Sequence, residues 1–274
     1  MSNTQKRIAS ALVLTGLLVY LFILGAKPLL GFILVAGIIA VDELYCNFFR
    51  KKRFGFNYFI SEALFIAPFV YLNFLEKAPG FFNVFINGAL ALNAFLLAYL
   101  FALKMESSFL IKLTSRIPYF ASVIILFPMM ALSDFFHYQK WQSVIIVLLL
   151  VTFSMDTGAW FFGKNFGKHK LWPKVSPKKT VEGLIGGALT AGVMGLLSWW
   201  YLFDKISFIL FISFCFLGLI SQVGDLIQSK IKRQFEIKDS SNLIPGHGGV
   251  YDRIDSLLFL TPFYAVMLKS YYFN

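Results

Sequence analysis

Charged residues and cysteines are scarce in this sequence of 274 residues. Only 14% of the residues are charged, whereas a soluble globular domain has about a quarter. Two cysteines are too few for a secreted scaffold held by disulfides. Apolar side chains are abundant instead: 58% of the residues are hydrophobic, 33 are Phe, and the mean hydropathy is +0.72. This composition excludes a disordered chain and exceeds what a soluble core needs, so it predicts an integral membrane protein.

Nine apolar runs are long enough to be membrane-spanning helices, which need about 20 residues each. The runs lie at about 8–24, 28–49, 58–75, 84–103, 117–136, 141–163, 183–203, 207–227 and 257–273. The predicted fold class is therefore all-α, a polytopic membrane protein of about nine helices. Residues 1–274 are predicted to form a single membrane-embedded domain, with the motifs described below in the half at about 150–274.

Basic residues divide unevenly between the two sides that nine helices define. With the N-terminus inside, five inner segments hold 2, 4, 3, 6 and 5 Lys and Arg residues, 20 in all: 1–7, 50–57, 104–116, 164–182 and 228–256. The outer side holds five: Lys27, Lys77, Lys140, Lys205 and Lys269. Cytoplasmic loops carry the excess of Lys and Arg. The sequence therefore predicts a multi-pass protein of a bacterial-type inner (cell) membrane, with its N-terminus and its functional site in the cytoplasm.

Five carboxylates interrupt the apolar runs, all toward the predicted cytoplasmic ends of their helices: Asp42, Glu43, Glu62, Asp156 and Asp225. An acid at the centre of a membrane helix costs about 2.5–3.5 kcal/mol, so each needs a reason. One interpretation is that helix-end acids are half-solvated and pair with nearby lysines. Because all five lie on one side, the sequence favours a polar cavity open to the cytoplasm over a transport path.

The predicted cytoplasmic segment 164–182 contains groups that suit a polyphosphate. The run Ser176-Pro177-Lys178-Lys179-Thr180 places two ammonium groups between two hydroxyls, and Glu182 and Gly183 follow at the start of a helix. Ammonium groups, hydroxyls and helix N-terminal amides all bind phosphate. The alternative is that the six lysines of this segment only fix the topology. In the helix that follows, small residues predict close helix packing: Gly183, Gly187, Ala188, Gly192 and Gly195.

The second long cytoplasmic segment combines acids, bases and glycines. Four residues recur at spacings of three or four and share one helix face: Asp225, Gln228, Ser229 and Lys232. Residues 245–249 (Pro-Gly-His-Gly-Gly) predict a tight turn whose amides can approach a ligand. Asp252 and Asp255 then flank Arg253 at the start of the last helix. This combination indicates a metal-phosphate site, and the lysine pattern of a P-loop is absent.

At these residues the sequence resembles the CDP-diacylglycerol synthases, also called phosphatidate cytidylyltransferases. The C-terminal signature of that family is present with every spacing kept: Ser229, Lys232-Arg233, Lys238-Asp239, His247-Gly248-Gly249 and Asp252-Arg253-Ile254-Asp255. The runs at 176–183 and 156–160 also look like the family's. The first half of the chain matches only by hydropathy and by Glu43. Gln228 departs from the pattern, because many members have Glu there, and no role of that Glu can be carried over.

The resemblance implies transfer of CMP from CTP to phosphatidic acid, giving CDP-diacylglycerol and pyrophosphate in phospholipid biosynthesis. It implies Mg²⁺ as cofactor, with room for a second cation, and Asp225 and Asp252 as its ligands. The implied catalytic residues are Asp225, Asp252, Lys179, Lys232 and Arg233. The implied substrate-binding residues are Asp156, Ser176, Lys178, Thr180, Glu182, Ser229, Lys238, Asp239, His247, Gly248, Gly249, Arg253 and Asp255. The expected partners are CTP, phosphatidic acid and the lipid bilayer, without nucleic acid; a homodimer is left open.

Two other functions remain open. Another enzyme of lipid phosphates, such as a polyprenol kinase or a synthase that uses archaeal ether lipid, would share the cavity and the metal. A transporter would bind without releasing pyrophosphate and should show polar residues through the bilayer centre. The CDP-alcohol phosphotransferases are not indicated, because their multi-Asp signature is absent.

Overall fold

The computed structural model describes residues 3–75 and 80–272, most of which are helical. The helices are α1 (Asn3–Leu24), α2 (Ala26–Asp42), α3 (Phe56–Val70), α4 (Gly80–Ala102), α5 (Phe109–Arg116), α6 (Phe120–Asp134), α7 (Trp141–Phe166), α8 (Val181–Phe203), α9 (Phe208–Gln234) and α10 (Tyr251–Tyr271). Helices α2 and α3 continue as π-helical turns over Glu43–Phe48 and Tyr71–Leu75, and α6 ends in a 3-10 turn over Phe135–His137. The two strands are β1 (Lys170–Trp172) and β2 (Ser176–Thr180).

Nine of these helices coincide with the nine predicted runs, which confirms a polytopic and nearly all-helical membrane fold. Within the described residues, seven helices are long and apolar enough to cross a membrane. α1 is apolar over the shorter stretch Ile8–Leu24, and α10 is not in this set. The count of nine spans is therefore not confirmed. Lys77, counted above on the outer side, lies outside the described residues, as do residues 1–2 and the side chains of Lys6 and Arg7.

Two connections contain structure where the sequence analysis assigned only loops. The segment 104–116 contains the short helix α5, and the segment 164–182 contains β1 and β2, which pair antiparallel. The amide of Val181 also donates to the carbonyl of His169 at 2.9 Å. The hairpin satisfies the backbone polar groups of a short connection between two closely packed helices, as secondary structure must.

The chain divides into two compact units. Unit 1 contains Met1–Leu92, Glu106–Phe136 and Lys232–Ile254; unit 2 contains Asn93–Met105, His137–Ile231 and Asp255–Asn274. In unit 1 the π-helical turn after α2 packs against the C-terminal segment, because the Phe48 ring makes edge contacts with Phe235 and Tyr251 at centroid distances of 6.3 and 5.8 Å. The predicted single membrane-embedded domain stays a prediction.

In unit 2, α7 and α8 approach each other through glycines, as the small-residue face of α8 predicted. A Cβ atom on Gly183 would lie 2.7 Å from the carbonyl oxygen of Ala159, and one on Gly187 would lie 2.8 Å from that of Met155. Both are backbone contacts that cannot move aside, so only glycine permits this spacing. Further along α8, a Cβ atom on Gly195 would overlap the side chain of Phe214. The predicted packing role of these glycines is confirmed.

Candidate active site

Unit 2 contains a cavity of about 230 Å³ lined by charged, hydroxyl and apolar side chains that lie far apart in the sequence. Its lining comes from α7, the hairpin, α8 and α9: Asp156, Ala159, Trp160, Leu171, Lys178, Lys179, Thr180, Gly183, Leu184, Gln222 and Asp225. Five of these were predicted as site residues, and we name them the cavity cluster: Asp156, Lys178, Lys179, Thr180 and Asp225. The structure therefore brings together the Asp-Thr-Gly run, the Ser-Pro-Lys-Lys-Thr run and the acid of α9.

Local hydrogen bonding explains how the two lysines reach the cavity. Thr180 ends β2 and caps α8, because its hydroxyl accepts a hydrogen bond from the amide of Gly183 at 3.1 Å. A threonine at this position satisfies one of the free amides at a helix N-terminus. The amides of Val181 and Gly183 thus donate hydrogen bonds to acceptors of the protein itself. Lys178 and Lys179, which immediately precede the cap, are held beside the start of α8.

An ion pair closes one wall of the cavity. The Nζ atom of Lys179 lies 2.6 Å from Oδ2 of Asp225, and the two side chains are 18% and 35% exposed. The hydroxyl of Ser229, one helical turn later, donates to Oδ1 of Asp225 at 3.3 Å. Asp225 is therefore partly open to solvent and each of its oxygens has a single contact among these. Its basic partner is Lys179, whereas Lys232, seven residues after Asp225, pairs with Asp252.

The oxygens of the cavity cluster suit a hard divalent cation. Mg²⁺ is usually bound by one or two carboxylates, with water and substrate phosphate completing the octahedron. Asp156 and Asp225 line one cavity and can provide that set. Among the residues that the structure describes, no group of three or more His, Cys, Asp or Glu side chains stands in a metal-ligating arrangement. A two-carboxylate site that relies on substrate oxygens is consistent with this finding.

A second cluster lies in unit 1, where the segment 232–252 folds around two carboxylates. We name Glu43, Lys232, Ser240 and Asp252 the turn cluster. Oδ1 of Asp252 accepts from Nζ of Lys232 at 3.0 Å, and Oδ2 accepts from the amides of Ser240 at 2.7 Å and Gly249 at 3.1 Å. The side chain of Asp252 is only 3% exposed. Its carboxylate is thus surrounded by donors of the protein itself.

These donors lower the pKa of Asp252. Burial raises the pKa of the carboxyl, but the Lys232 ammonium and the amides of Ser240 and Gly249 outweigh burial, so the pKa of Asp252 lies below its usual value. An aspartate in this state could bind a cation only if Lys232 left Oδ1. The predicted metal role of Asp252 stays a prediction, and its surroundings fit that role less well than those of Asp225.

Glu43 is the second carboxylate of the turn cluster, and it is buried. Its Oε1 accepts from the hydroxyl of Ser241 at 2.6 Å and from the amide of Val250 at 2.9 Å. Its Oε2 accepts from the amide of Tyr251 at 2.9 Å and lies at the same distance from the hydroxyl of Ser240. Tyr251 is the first residue of α10 and Val250 precedes it, so Glu43 caps that helix from the π-helical turn after α2.

The Pro-Gly-His-Gly-Gly run forms the predicted tight turn. Gly246 and Gly248 have φ values of +77° and +84°, which side chains with a Cβ atom rarely adopt. A Cβ atom on Gly249 would overlap Ser240 and Glu43. However, the amide of Gly249 donates to Asp252. The expectation that the amides of this turn are available to a ligand is therefore wrong for Gly249, because the carboxylate of Asp252 already binds it.

The remaining predicted residues belong to neither cluster as defined here. Glu182 accepts from the amide of His169 and contacts its ring at 2.6 Å, and Ser176 is half-buried in β2. Asp255 accepts from the amide of Ser256. Four predicted residues are exposed: Arg233, Lys238, Asp239 and Arg253. His247 lies 2.8 Å from the hydroxyl of Ser10 in α1, measured from Nδ1.

Several residues of the site were missed or left without a role. Glu43 had a signal, since it is an acid in an apolar run. Ser240 and Ser241 had none, because their partners are distant in the sequence. Lys230 is another case: it is fully buried, and its Nζ donates to the carbonyls of Tyr99, Leu100 and Leu103 at 2.5–2.9 Å. It caps the C-terminus of α4, where a cation is favourable.

Comparisons with known proteins identify similar sequences. The profile described as "Cytidylyltransferase family" matches residues 5–271. The phosphatidate cytidylyltransferase of Bacillus subtilis (strain 168) is 41% identical over 145 residues, 50% of this chain and 54% of that protein. Those of Staphylococcus haemolyticus (strain JCSC1435) and Staphylococcus aureus (strain COL) are 40% and 41% identical over 137 residues, 50% and 49% of this chain and 50% and 53% of theirs. The chain spans about half the length of these curated relatives.

Proposed function

The chain belongs to the cytidylyltransferase family, and from this premise we propose that it is a phosphatidate cytidylyltransferase. The reaction would transfer CMP from CTP to phosphatidic acid and release pyrophosphate, giving CDP-diacylglycerol. The observation that carries the proposal is the cavity cluster, where two lysines of a phosphate-binding run adjoin two carboxylates in one cavity at the end of apolar helices. The names of the curated relatives support the choice of phosphatidate as acceptor.

The proposed reaction does not need a strong general base. The second pKa of a phosphate monoester is about 6, so the phosphatidate head group is already largely dianionic at neutral pH. One of its oxygens would attack the α-phosphorus of CTP, and the bond from that phosphorus to the oxygen of the β-phosphate would break. The main barrier is the approach of two polyanions. Lys178 and Lys179 would lower it by neutralising charge on the α-phosphate and on the leaving pyrophosphate.

The ion pair of Lys179 with Asp225 would have to exchange partners when CTP binds. A triphosphate brings several charged oxygens and would compete with the partly exposed carboxylate of Asp225 for the ammonium group of Lys179. Once Lys179 turns to the phosphates, the carboxylate of Asp225 needs another positive partner. We assign that role to Mg²⁺, held by Asp225 and Asp156, which when bound would neutralise phosphate charge as a Lewis acid.

We propose further that the cavity faces the cytoplasm. The basic segments 164–182 and 228–256 hold 11 of the 25 Lys and Arg residues, as cytoplasmic loops do. In a variant with Cys46 and Cys215 replaced by Ser, a cysteine at Lys170 or Lys238 should resist an impermeant thiol reagent applied to intact cells. A cysteine at Lys205, on the predicted outer side, should react. The reverse pattern would contradict this orientation.

One assay distinguishes this function from its competitors. Purified protein supplied with Mg²⁺, phosphatidic acid and CTP labelled in the cytidine should move label into chloroform-soluble lipid and release one pyrophosphate for each lipid formed. In a parallel assay with CTP labelled in the γ-phosphate, transfer of label to lipid would indicate a lipid kinase instead. Binding of CTP without pyrophosphate release would exclude the synthase and favour a carrier.

A further inference from the structure

An apolar groove in unit 1 lies beside the His-Gly-Gly turn. Its volume is about 610 Å³, and one wall is α1 and the other the segment before the turn. The apolar lining consists of Ala9, Val13, Leu14, Leu243, Ile244 and Pro245. Small-molecule pockets usually measure about 300–1,000 Å³. We infer that this groove seats one acyl chain of the lipid substrate, an inference that rests on the proposed function.

The surface of α1 indicates hydrocarbon as the occupant. Leu12 is 69% exposed and Val13, a wall of the groove, is 70% exposed on a helix whose apolar stretch runs to Leu24. In a polytopic membrane protein such a surface meets lipid tails. An acyl chain can therefore pass from the bilayer into the groove without leaving an apolar environment. A nucleotide would lose its hydration there and meet hardly any polar group.

The size of the groove argues against a protein helix as occupant. An α-helix is about 10–12 Å across with a pitch of 5.4 Å, so this volume holds less than two turns of one. Helices of that length are not stable partners by themselves. A single flexible hydrocarbon chain has no such requirement and can follow the outline of the groove.

The one polar residue among the described lining residues lies at the end next to the turn. The hydroxyl of Ser10 lies 2.8 Å from Nδ1 of His247 and donates to the carbonyl of Pro245 at 3.2 Å. The groove is thus apolar along its length and polar at its margin with the His-Gly-Gly turn. A phosphatidate molecule has the same change of polarity along its length, because its apolar chain ends in an anionic head group.

The first test uses two substrates that differ only in their chains. Val13→Trp and Leu14→Trp place an indole in the groove, and Leu12→Trp, on the same helix outside it, is the matched control. The groove variants should raise KM for dioleoyl phosphatidate by about tenfold, the value of roughly two methylene contacts. Turnover of water-soluble dihexanoyl phosphatidate should not change, since its chains are too short to need the groove. Equal effects on both substrates, or no effect on either, would overturn the inference.

The second test does not depend on activity. Phosphatidate with a diazirine on one acyl chain is photolysed with the purified protein in phosphatidylcholine vesicles, and labelled peptides are mapped by mass spectrometry. The peptide containing Leu243 and Ile244 should be labelled, and unlabelled dioleoyl phosphatidate, but not added phosphatidylcholine, should compete. Leu14→Trp should suppress this label and leave bilayer labelling at Leu17 unchanged. Absence of label at Leu243–Ile244 would contradict the inference. Label there without formation of CDP-lipid would support binding of an acyl chain in the groove and reject the proposed function.

Discussion

The cavity cluster and the turn cluster each pair one lysine with one aspartate, and they differ in what else binds the carboxylate. Asp225 is 35% exposed and is bound by Lys179 and Ser229. Asp252 is 3% exposed and is bound by Lys232 and two backbone amides. A partly solvated pair at a cavity wall can exchange partners with a ligand. A buried pair that also holds the backbone fixes a loop. We therefore expect the pair in unit 2 to take part in the chemistry and the pair in unit 1 to hold the backbone of the turn.

The substitutions Asp225→Asn and Asp252→Asn test this difference between the two clusters and should have the largest effects. Asparagine keeps the size and removes the charge. Asp225→Asn should lower cytidylyl transfer by about 10³-fold, because transition-state charge is left without its cation. Its unfolding midpoint should move less than that of Asp252→Asn, since Asp225 is 35% exposed and Asp252 is 3% exposed. Asp252→Asn should lower the free energy of unfolding by about 3–5 kcal/mol, as expected when one member of a buried pair is removed.

Thermal unfolding in detergent, measured beside the labelled-CTP assay, separates the two effects, with activity expressed per folded molecule. If Asp252→Asn remained as stable as the parent protein and lost all activity, Asp252 would be a catalytic or metal-binding acid, as first predicted from the resemblance. If Asp225→Asn were unstable but active, the cavity pair would be structural and the proposed metal site would be wrong.

The lysine pair gives the next largest effect. Lys179→Ala should reduce kcat/KM for CTP by about 10²-fold, because it removes an ammonium group from the wall of the cavity. Lys170→Ala is the matched control, since Lys170 lies in the partner strand of the same hairpin and does not line the cavity. Steady-state kinetics at saturating phosphatidate provides the measurement. Equal losses in the two variants would mean that the hairpin acts only through its total charge.

Much of this site could be predicted from the sequence, because its signals are local. Apolar runs predicted nine helix positions, and glycines predicted both the close packing of α8 and the tight turn. The partners of charged groups could not be predicted in this way. Asp225 and Lys232 share the predicted face of α9, but the hairpin brings Lys179 to Asp225. That choice depends on how β2 enters α8, which is a tertiary property.

Lys230 and Glu43 show the same limit. The sequence places Lys230 among the basic residues of a segment that is predicted to be cytoplasmic, where it looks like a topology signal. In the structure it is buried and binds three carbonyls at the end of α4. Glu43 stood out as an acid in an apolar run, but its partners lie about 200 residues away in the chain. A single sequence indicates that such a residue needs a partner and does not identify it.

Glu43→Gln tests whether the turn cluster is held from α2. The amide nitrogen of glutamine cannot accept, so two of the four donors around Glu43 lose their acceptor. The free energy of unfolding should fall by about 2–3 kcal/mol. Glu106→Gln, an exposed acid of the same unit, should change it by less than about 0.5 kcal/mol. Proteolysis within residues 240–250 should also become faster in Glu43→Gln alone. Unchanged stability and protection would show that other contacts hold this segment.

The smallest expected effect is the pH dependence of the Lys232–Asp252 pair. The pKa of Asp252 in the folded protein lies below its usual value, which is about 3.9 in an unfolded chain. Between the two values the unfolded state binds more protons, so the free energy of unfolding rises with pH in that window. The stabilisation is therefore complete above the unfolded pKa and is lost as the pH falls through the folded one.

The unfolding midpoint of the parent protein minus that of Asp252→Asn should stay constant from about pH 7 to pH 5 and shrink below about pH 4. Because the pair is buried, 1 M salt should leave this difference nearly unchanged, whereas an exposed pair would be screened over about 3 Å. A difference that grows as the pH falls would show that Asp252 is protonated in the folded protein and that the turn is held in another way.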